Sequence, residues 1–327
     1  MKKILGIGNA LVDILATLTG DSILQEFNLP KGSMQHVDEP AANRLWERLH
    51  TLGGVQRVAG GSAANTMAGA AQLGLHCTFI GKTGNDEPGR FFADDQAAHG
   101  VTSVLLHSPT STGRCTVFIS PDAERTMATY LGAAIELSPD DLDERVFTGY
   151  HYFYIEGYLV QNHDLVRRAM ELAKAQRLII ALDLASYNVV EQNRDFLHNM
   201  LRQYVDIVFA NEAEAEAFTG KKPHEALGEL SALCDIAVVK TGGEGSLVQR
   251  GSTVHRIKPC LANVVDTTGA GDLYAAGFLY GQAAGWPLDQ CGAAGSLTAS
   301  KVVEVIGPKV SNAGWAAIKQ HLKNYII

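Results

Sequence analysis

Asn263–Gly281 reads NVVDTTGAGDLYAAGFLYG, a glycine-punctuated polar turn between two apolar stretches. The apolar pair Val264–Val265 predicts the end of a strand-like approach. A polar turn follows, Asp266-Thr267-Thr268-Gly269-Ala270-Gly271, and then Asp272 opens an apolar helix carrying Leu273, Ala276, Phe278 and Leu279. Glycines let a ligand come close to the main chain. A helix starting there aims its unpaired N–H groups and the positive end of its dipole at the turn, which suits a phosphate. Asp272 needs a separate reason. A carboxylate beside a phosphate repels the ground-state anion, and its chemical use there is to take a proton from a hydroxyl attacking phosphorus. Read alone, it is equally a good first-turn helix residue.

No G-x-x-x-x-G-K-[ST] occurs in the chain, which sets the P-loop class aside. With 327 residues, 46% hydrophobic content and 33 glycines, the composition is that of a turn-rich α/β protein. A net charge of −8 without a basic run argues against nucleic acid or an anionic membrane as partner. The five cysteines are scattered, with no C-x-x-C spacing, and read as buried thiols of a reducing compartment. The opening MKKILGIGNALVDILATLTG imitates a signal peptide, but Asn9 and Asp13 interrupt its apolar run. No stretch reaches the ~18–20 apolar residues of a membrane span, and the expected location is the cytoplasm.

Lys3–Gly8 predicts the first strand of a parallel sheet. Leu11 stands where a dinucleotide fingerprint needs its third glycine, which weighs against that class. Asn9 and Asp13 follow at the strand's carboxyl end, where open α/β sheets bind ligands; a carboxylate there can accept two hydrogen bonds from a vicinal diol. Residues 14–37 predict short strands and turns without helix, and Asp38–Leu52 a helix capped by Asp38. In VAGGSAANTMAGAAQLG, Gly60-Gly61 is a flexible turn, Ser62 the N-cap, and the small residues a closely packing helix with Asn65 in its first turn. Val101–Leu131 turns β again and, with 14–37, predicts a small separate sheet. His151–Ile155, Leu178–Asp183, Ile207–Ala210 and Ile236–Thr241 are strands with helices between the earlier ones, the rhythm of a parallel sheet. A hairpin over Ser246–Ile257 and helices over Leu288–Val303 and Asn312–Tyr325 complete one domain spanning residues 1–327.

Together, VAGGSAANTMAG, the N-x-x-E of Asn211–Glu214, the strand–KTGGEGS turn and DTTGAGD resemble the ribokinase-like (PfkB) carbohydrate and nucleoside kinase family, and the match runs along nearly the whole chain. The resemblance implies a three-layer α/β/α sandwich with a mostly parallel central sheet and a small β-sheet lid, here about 14–37 and 101–131. GNALVD, LPKGSMQ and PDAERTM look more like the adenosine-kinase branch than like ribokinase. It further implies Asp272 as general base, with the amides of Gly269, Ala270 and Gly271 as anion hole. Asn9, Asp13, Gly60, Gly61 and Asn65 become acceptor ligands. Asn211, Glu214, Thr241, Gly243, Gly245 and Thr268 fall on the ATP side, with Glu214 holding Mg2+ through water. Asp266, Thr268, Val303, Gly307 and Ser311 are the candidates for a K+ site. One departure matters: many sugar kinases of the family carry D-x-N-x-R where this chain has Asp183-Leu184-Ala185-Ser186-Tyr187. The basic residue for the transferring phosphate is missing there, and Arg125 or Arg114, from the expected lid, are the candidates to replace it.

The resulting expectation is transfer of the γ-phosphate of ATP to a primary hydroxyl of a nucleoside or sugar, by a monomer or homodimer. Met34, Phe118 and Met127 are either walls of a base pocket or lid-core residues. Two readings from other classes stand beside it: a NAD-binding oxidoreductase and a non-catalytic nucleoside or nucleotide sensor.

Overall fold

The structure, a computed structural model, describes residues 2–51, 55–122 and 124–323. Its larger sheet runs, edge to edge, Thr253–Ile257 (β14), Ser246–Arg250 (β13), Ile236–Lys240 (β12), Ile207–Asn211 (β11), Ile179–Asp183 (β10), Tyr152–Glu156 (β9), Lys3–Ile7 (β1), His76–Gly84 (β5) and Val101–Ser108 (β6). All neighbours are parallel except the β12–β13–β14 meander at one edge. The smaller sheet runs Met34–His36 (β3), Arg125–Tyr130 (β8), Gly113–Ile119 (β7), Leu11–Thr17 (β2) and Gln56–Gly60 (β4).

Strand periodicity builds the layers. Successive side chains of a strand point to opposite faces. Phe153, Ile155, Ile180, Leu182, Val208 and Ala210 therefore join one core with the helices His163–Ala175 and Arg194–Gln203. Their neighbours Tyr152, Tyr154, Ala181, Ile207 and Phe209 join another with the helices Ser62–Gln72 and Ala270–Ala284. Phe153 and Phe209 are wholly buried, each contributing ~1.5–3 kcal/mol. The helices Ser62–Gln72 and Ala270–Ala284 approach unusually closely, because a β-carbon on Gly69 would lie 2.7 Å from Leu273 and 2.9 Å from Ala276. Among the described residues no helix is long and apolar enough to cross a membrane.

Several expectations need correction. Val101–Ser108, expected in the small sheet, pairs in parallel with β5 from Cys77↔Val101 to Gly84↔Ser108. It closes a strand–helix–strand crossover through the helix Glu87–Ala98, which commits it to the large sheet. Gln56–Gly60, by contrast, is a small-sheet strand, and β2 begins at Leu11. Ser22–Glu26 is a short helix where strands and turns were expected, burying Ile23 and Leu24 in the small-sheet core. Val264 and Val265 form no strand; they are 66% and 48% exposed. Gly61, with φ +93°, is the N-cap in place of Ser62, whose hydroxyl turns elsewhere. Asp38 does cap its helix, bonding the amide of Ala41 at 2.9 Å. Leu52 and residues 324–325, given to helices above, lie outside the described residues.

Candidate active site

The carboxyl ends of adjacent parallel strands form a polar row. Asn9 follows β1, and Glu156, Asp183, Asn211 and Lys240 end β9, β10, β11 and β12. Ligands of open α/β sheets bind at such ends. The row lines a cleft of about 2060 Å³, whose opposite wall comes from the small sheet through Asp13, Met34, Arg125 and Met127. The turn Thr267–Gly271 lies between them.

Asp272 sits in the first turn of the helix Ala270–Ala284, whose N-cap Gly269 takes φ +75°. Both its oxygens are held: Oδ1 accepts from Ser62 Oγ at 2.7 Å, and Oδ2 from Asn65 Nδ2 at 3.0 Å. The close helix approach at Gly69 brings these groups together. Burial pushes the Asp272 carboxyl up to about 6, while the bonds from Ser62 and Asn65 pull it down. Asn65 Oδ1 is buried without a hydrogen-bond partner, an acceptor suited to a substrate hydroxyl. Asp13, 8% exposed, is pushed up to about 7 by burial, against the positive charge of Lys309.

Glu156 organises this end of the cleft. Its Oε1 accepts from the amide and side chain of Asn9 at 2.9 and 2.8 Å, and its Oε2 from the amide of Ala63 at 2.8 Å. Asn9 thus gives one of its two side-chain N–H donors to Glu156, leaving its oxygen for a ligand. Gly61 lines the cleft, whereas Gly60 packs behind Asp13.

At the other end, Asn211 and Glu214 form a reciprocal cap: Asn211 Oδ1 accepts from the amide of Glu214 at 2.9 Å, and Glu214 accepts from the amide of Asn211 at 2.8 Å. Burial raises the Glu214 carboxyl. Among the described residues no group of three acidic, histidine or cysteine side chains could cage a metal. Glu214, one buried carboxylate with spare lone pairs, would suit a hydrated magnesium arriving with a nucleotide and would hold it through water. Gly243 and Gly245 line the cleft; Thr241 does not, its amide closing the turn on the carbonyl of Gly245 at 2.9 Å.

The two arginines separate. On β7, Cys115 faces the cleft, so its neighbour Arg114 points away, bonding Asn43 at 2.7 Å and lining a separate cavity of about 340 Å³. Arg125 reaches across to the glycine turn. It donates to Thr268 Oγ1 and, at 2.7 Å, to Thr267 Oγ1, with Nη1 3.2 Å from Asp266. Asp266 also accepts from Thr268 N at 2.9 Å and Gly307 N at 2.8 Å, while Ser311 caps the last helix. Arg125 supplies positive charge where a potassium ion was expected, so the residues do not make a good cation site. Of the three base-wall candidates, Met34 and Met127 line the cleft and Phe118 is buried in the small-sheet core. Ser62, Glu156 and Lys240 were given no place in the site from sequence. The signal for the last two was present, a charged residue ending an apolar strand in YFYIE and IAVVK.

A glycine turn and a half-buried carboxylate at the carboxyl edge of a parallel sheet fit the class that the comparisons show, a phosphotransferase acting on hydroxyl groups. Residues 32–313 match the pfkB family of carbohydrate kinases, and the chain belongs to that family. It is 38% identical to the solved adenosine kinase of Sinorhizobium meliloti, with a TM-score of 0.88 over 98% of this chain and 99% of that one. A probable sugar kinase from Rhizobium etli CFN 42 is 34% identical, with a TM-score of 0.89 and 98% of each chain covered. Adenosine kinase of Saccharomyces cerevisiae is 29% identical over 325 residues, 92% of this chain and 95% of that one. These likenesses support the adenosine-kinase-like branch; the family uses ATP with a metal ion on small-molecule acceptors.

Proposed function

We propose that the chain is an ATP-dependent nucleoside kinase of the adenosine-kinase type, moving the γ-phosphate onto a primary hydroxyl. The observation that carries this reading is the Asp272 carboxylate, fixed on both oxygens beside the Gly269–Gly271 turn. Its value of about 6 keeps it ionised at neutral pH yet basic enough to accept a proton during attack. Ser62 and Asn65 orient it, and the orphan oxygen of Asn65 takes an acceptor hydroxyl. Asp13 accepts from the neighbouring diol, with Asn9 and Gly61 beside it.

The amides of Gly269, Ala270 and Gly271 stabilise charge on the transferred group, and Arg125 adds a cation from the small sheet. The nucleotide lies along Asn211 and the Gly243–Gly245 turn, with Thr268 at its phosphate end. Magnesium, when bound with ATP, neutralises phosphate charge. The small sheet acts as the lid that excludes water from the cleft. Met34, Met127 and Leu131 give it an apolar wall suited to a base. Five unpaired cysteines suit a reducing compartment, and we place the protein in the cytoplasm.

The test is ADP release from Mg-ATP against adenosine, inosine, guanosine, cytidine, ribose, fructose and fructose phosphates. Strong turnover of one nucleoside supports the reading. The likeness to a probable sugar kinase favours a second one: turnover of a free sugar alone would keep the mechanism and replace the acceptor.

A further inference from the structure

The residue that ends β12 has no place in the scheme above. Lys240 is half-buried at the cleft, and its Nζ lies 2.8 Å from Asp183 Oδ2, its one hydrogen-bond acceptor among the described residues. An ammonium carries three donors, so two remain. A β-carbon built on Gly271 would lie 3.0 Å from the same nitrogen, which places the charge directly against the helix N-terminus where Asp272 stands. Asp183 opens the stretch in which related sugar kinases keep an arginine, and here Tyr187 occupies that position, 50% exposed. Asp183 thus holds a lysine from the next strand but one toward the cleft.

We propose that Lys240 is the core-side cation for the phosphate in transfer, donating to a non-bridging oxygen opposite Arg125. The inference rests on the kinase reading. In the step, the acceptor oxygen forms a bond to the γ-phosphorus and the bond from that phosphorus to the β–γ bridging oxygen breaks. ADP leaves with the electron pair, and the hydroxyl proton passes to Asp272. Lys240 neither gains nor loses a proton. Burial works against its charge, but Asp183 and Glu214 outweigh burial and keep it an ammonium.

Three variants test this: Lys240→Met, Lys240→Arg, and Lys240→Met combined with Asp183→Asn, which removes the partner carboxylate's charge together with the lysine's if the single change impairs folding. The first readout is calorimetric affinity for Mg-ATP against Mg-ADP. Both methionine variants should lose at least ~10-fold for ATP and stay within ~2-fold for ADP. The second is turnover, expected to fall ~10²–10³-fold with the acceptor KM unchanged, the loss typical of one oxyanion donor. Arginine should restore most of it. The acid limb of the profile should also move to higher pH in Lys240→Met, because the lysine charge helps hold Asp272 down. Normal turnover and unchanged ATP preference in the double variant would overturn the proposal and leave Lys240 as a partner of Asp183 only. If wild-type protein turned over no acceptor, the kinase reading would fail, and the ATP–ADP comparison would still decide whether Lys240 meets a terminal phosphate.

Discussion

Replacing Asp272 by asparagine should cripple the enzyme and stabilise the protein. The amide keeps the shape of the carboxylate and can keep its partners. One oxygen still accepts from Ser62 or Asn65, and the new NH2 finds an acceptor in Ser62 Oγ or, after an amide flip, in the orphan Asn65 Oδ1. What disappears is the base, a loss of ~10²–10⁴-fold in turnover. The stability change follows from linkage. The Asp272 carboxyl is raised from 3.8 to about 6 in the folded chain, so the folded state binds the proton more tightly than the unfolded one. The cost of burying the ionised group is absent below about pH 4 and fully present above about pH 6. The raised value corresponds to at most ~3 kcal/mol, and water in the open cleft reduces this to ~1–2 kcal/mol. Urea unfolding at pH 8 should therefore favour Asp272→Asn by that amount, with the gain vanishing near pH 4.5. ADP release measured on the same samples should be nearly abolished. Near-normal turnover would remove Asp272 from the chemistry, and an equal destabilisation at both pH values would refute the electrostatic account.

The arginines should diverge: Arg125→Ala should lower turnover by ~10²-fold or more, as loss of a phosphate-facing charge does, whereas Arg114→Ala, on the other face of the small sheet, should stay within a few-fold in the same assay. Glu156→Ala strands the amides of Asn9 and Ala63 and the Asn9 side chain, so denaturant unfolding should show a loss of ~2–4 kcal/mol, with Glu156→Gln losing less. In a pH series, kcat/KM should fall on acidification through the window from about 7 to about 6, as Asp13 and then Asp272 protonate in the free enzyme. Gly69→Leu should separate the two helices it joins, lowering both the melting temperature and turnover because Ser62 and Asn65 leave Asp272.

The legible parts of the chain were those governed by local rules. Alternating strands and helices gave the large sheet, and the glycine turn gave the start of the helix that carries Asp272, because turn chemistry and helix starts are written in adjacent residues. Membership of a sheet is not. Val101–Ser108 and Gln56–Gly60 carry similar β patterns, yet one lies at the edge of the large sheet and the other in the small one. Only the crossover through the helix Glu87–Ala98 decides the first. Lys240 and Glu156 carried a signal that could not be read for the same reason: each is a single charged residue closing an apolar strand, and its meaning depends on which strands lie beside it. The direction of Arg114 depended on the phase of β7, which a one-residue shift would have reversed.

The polar row at the strand ends also acts as a ruler. Hydrogen-bonded strands stand ~4.8 Å apart whatever their side chains, so from Asn9 through Glu156, Asp183 and Asn211 to Lys240 the marks span ~19 Å. A substitution can change what is read at one mark, but it cannot move the marks. On the proposed reading, adaptation to a different acceptor therefore falls to the side chains at the marks and around them, while the distance between the acceptor end and the nucleotide end stays fixed by backbone pairing.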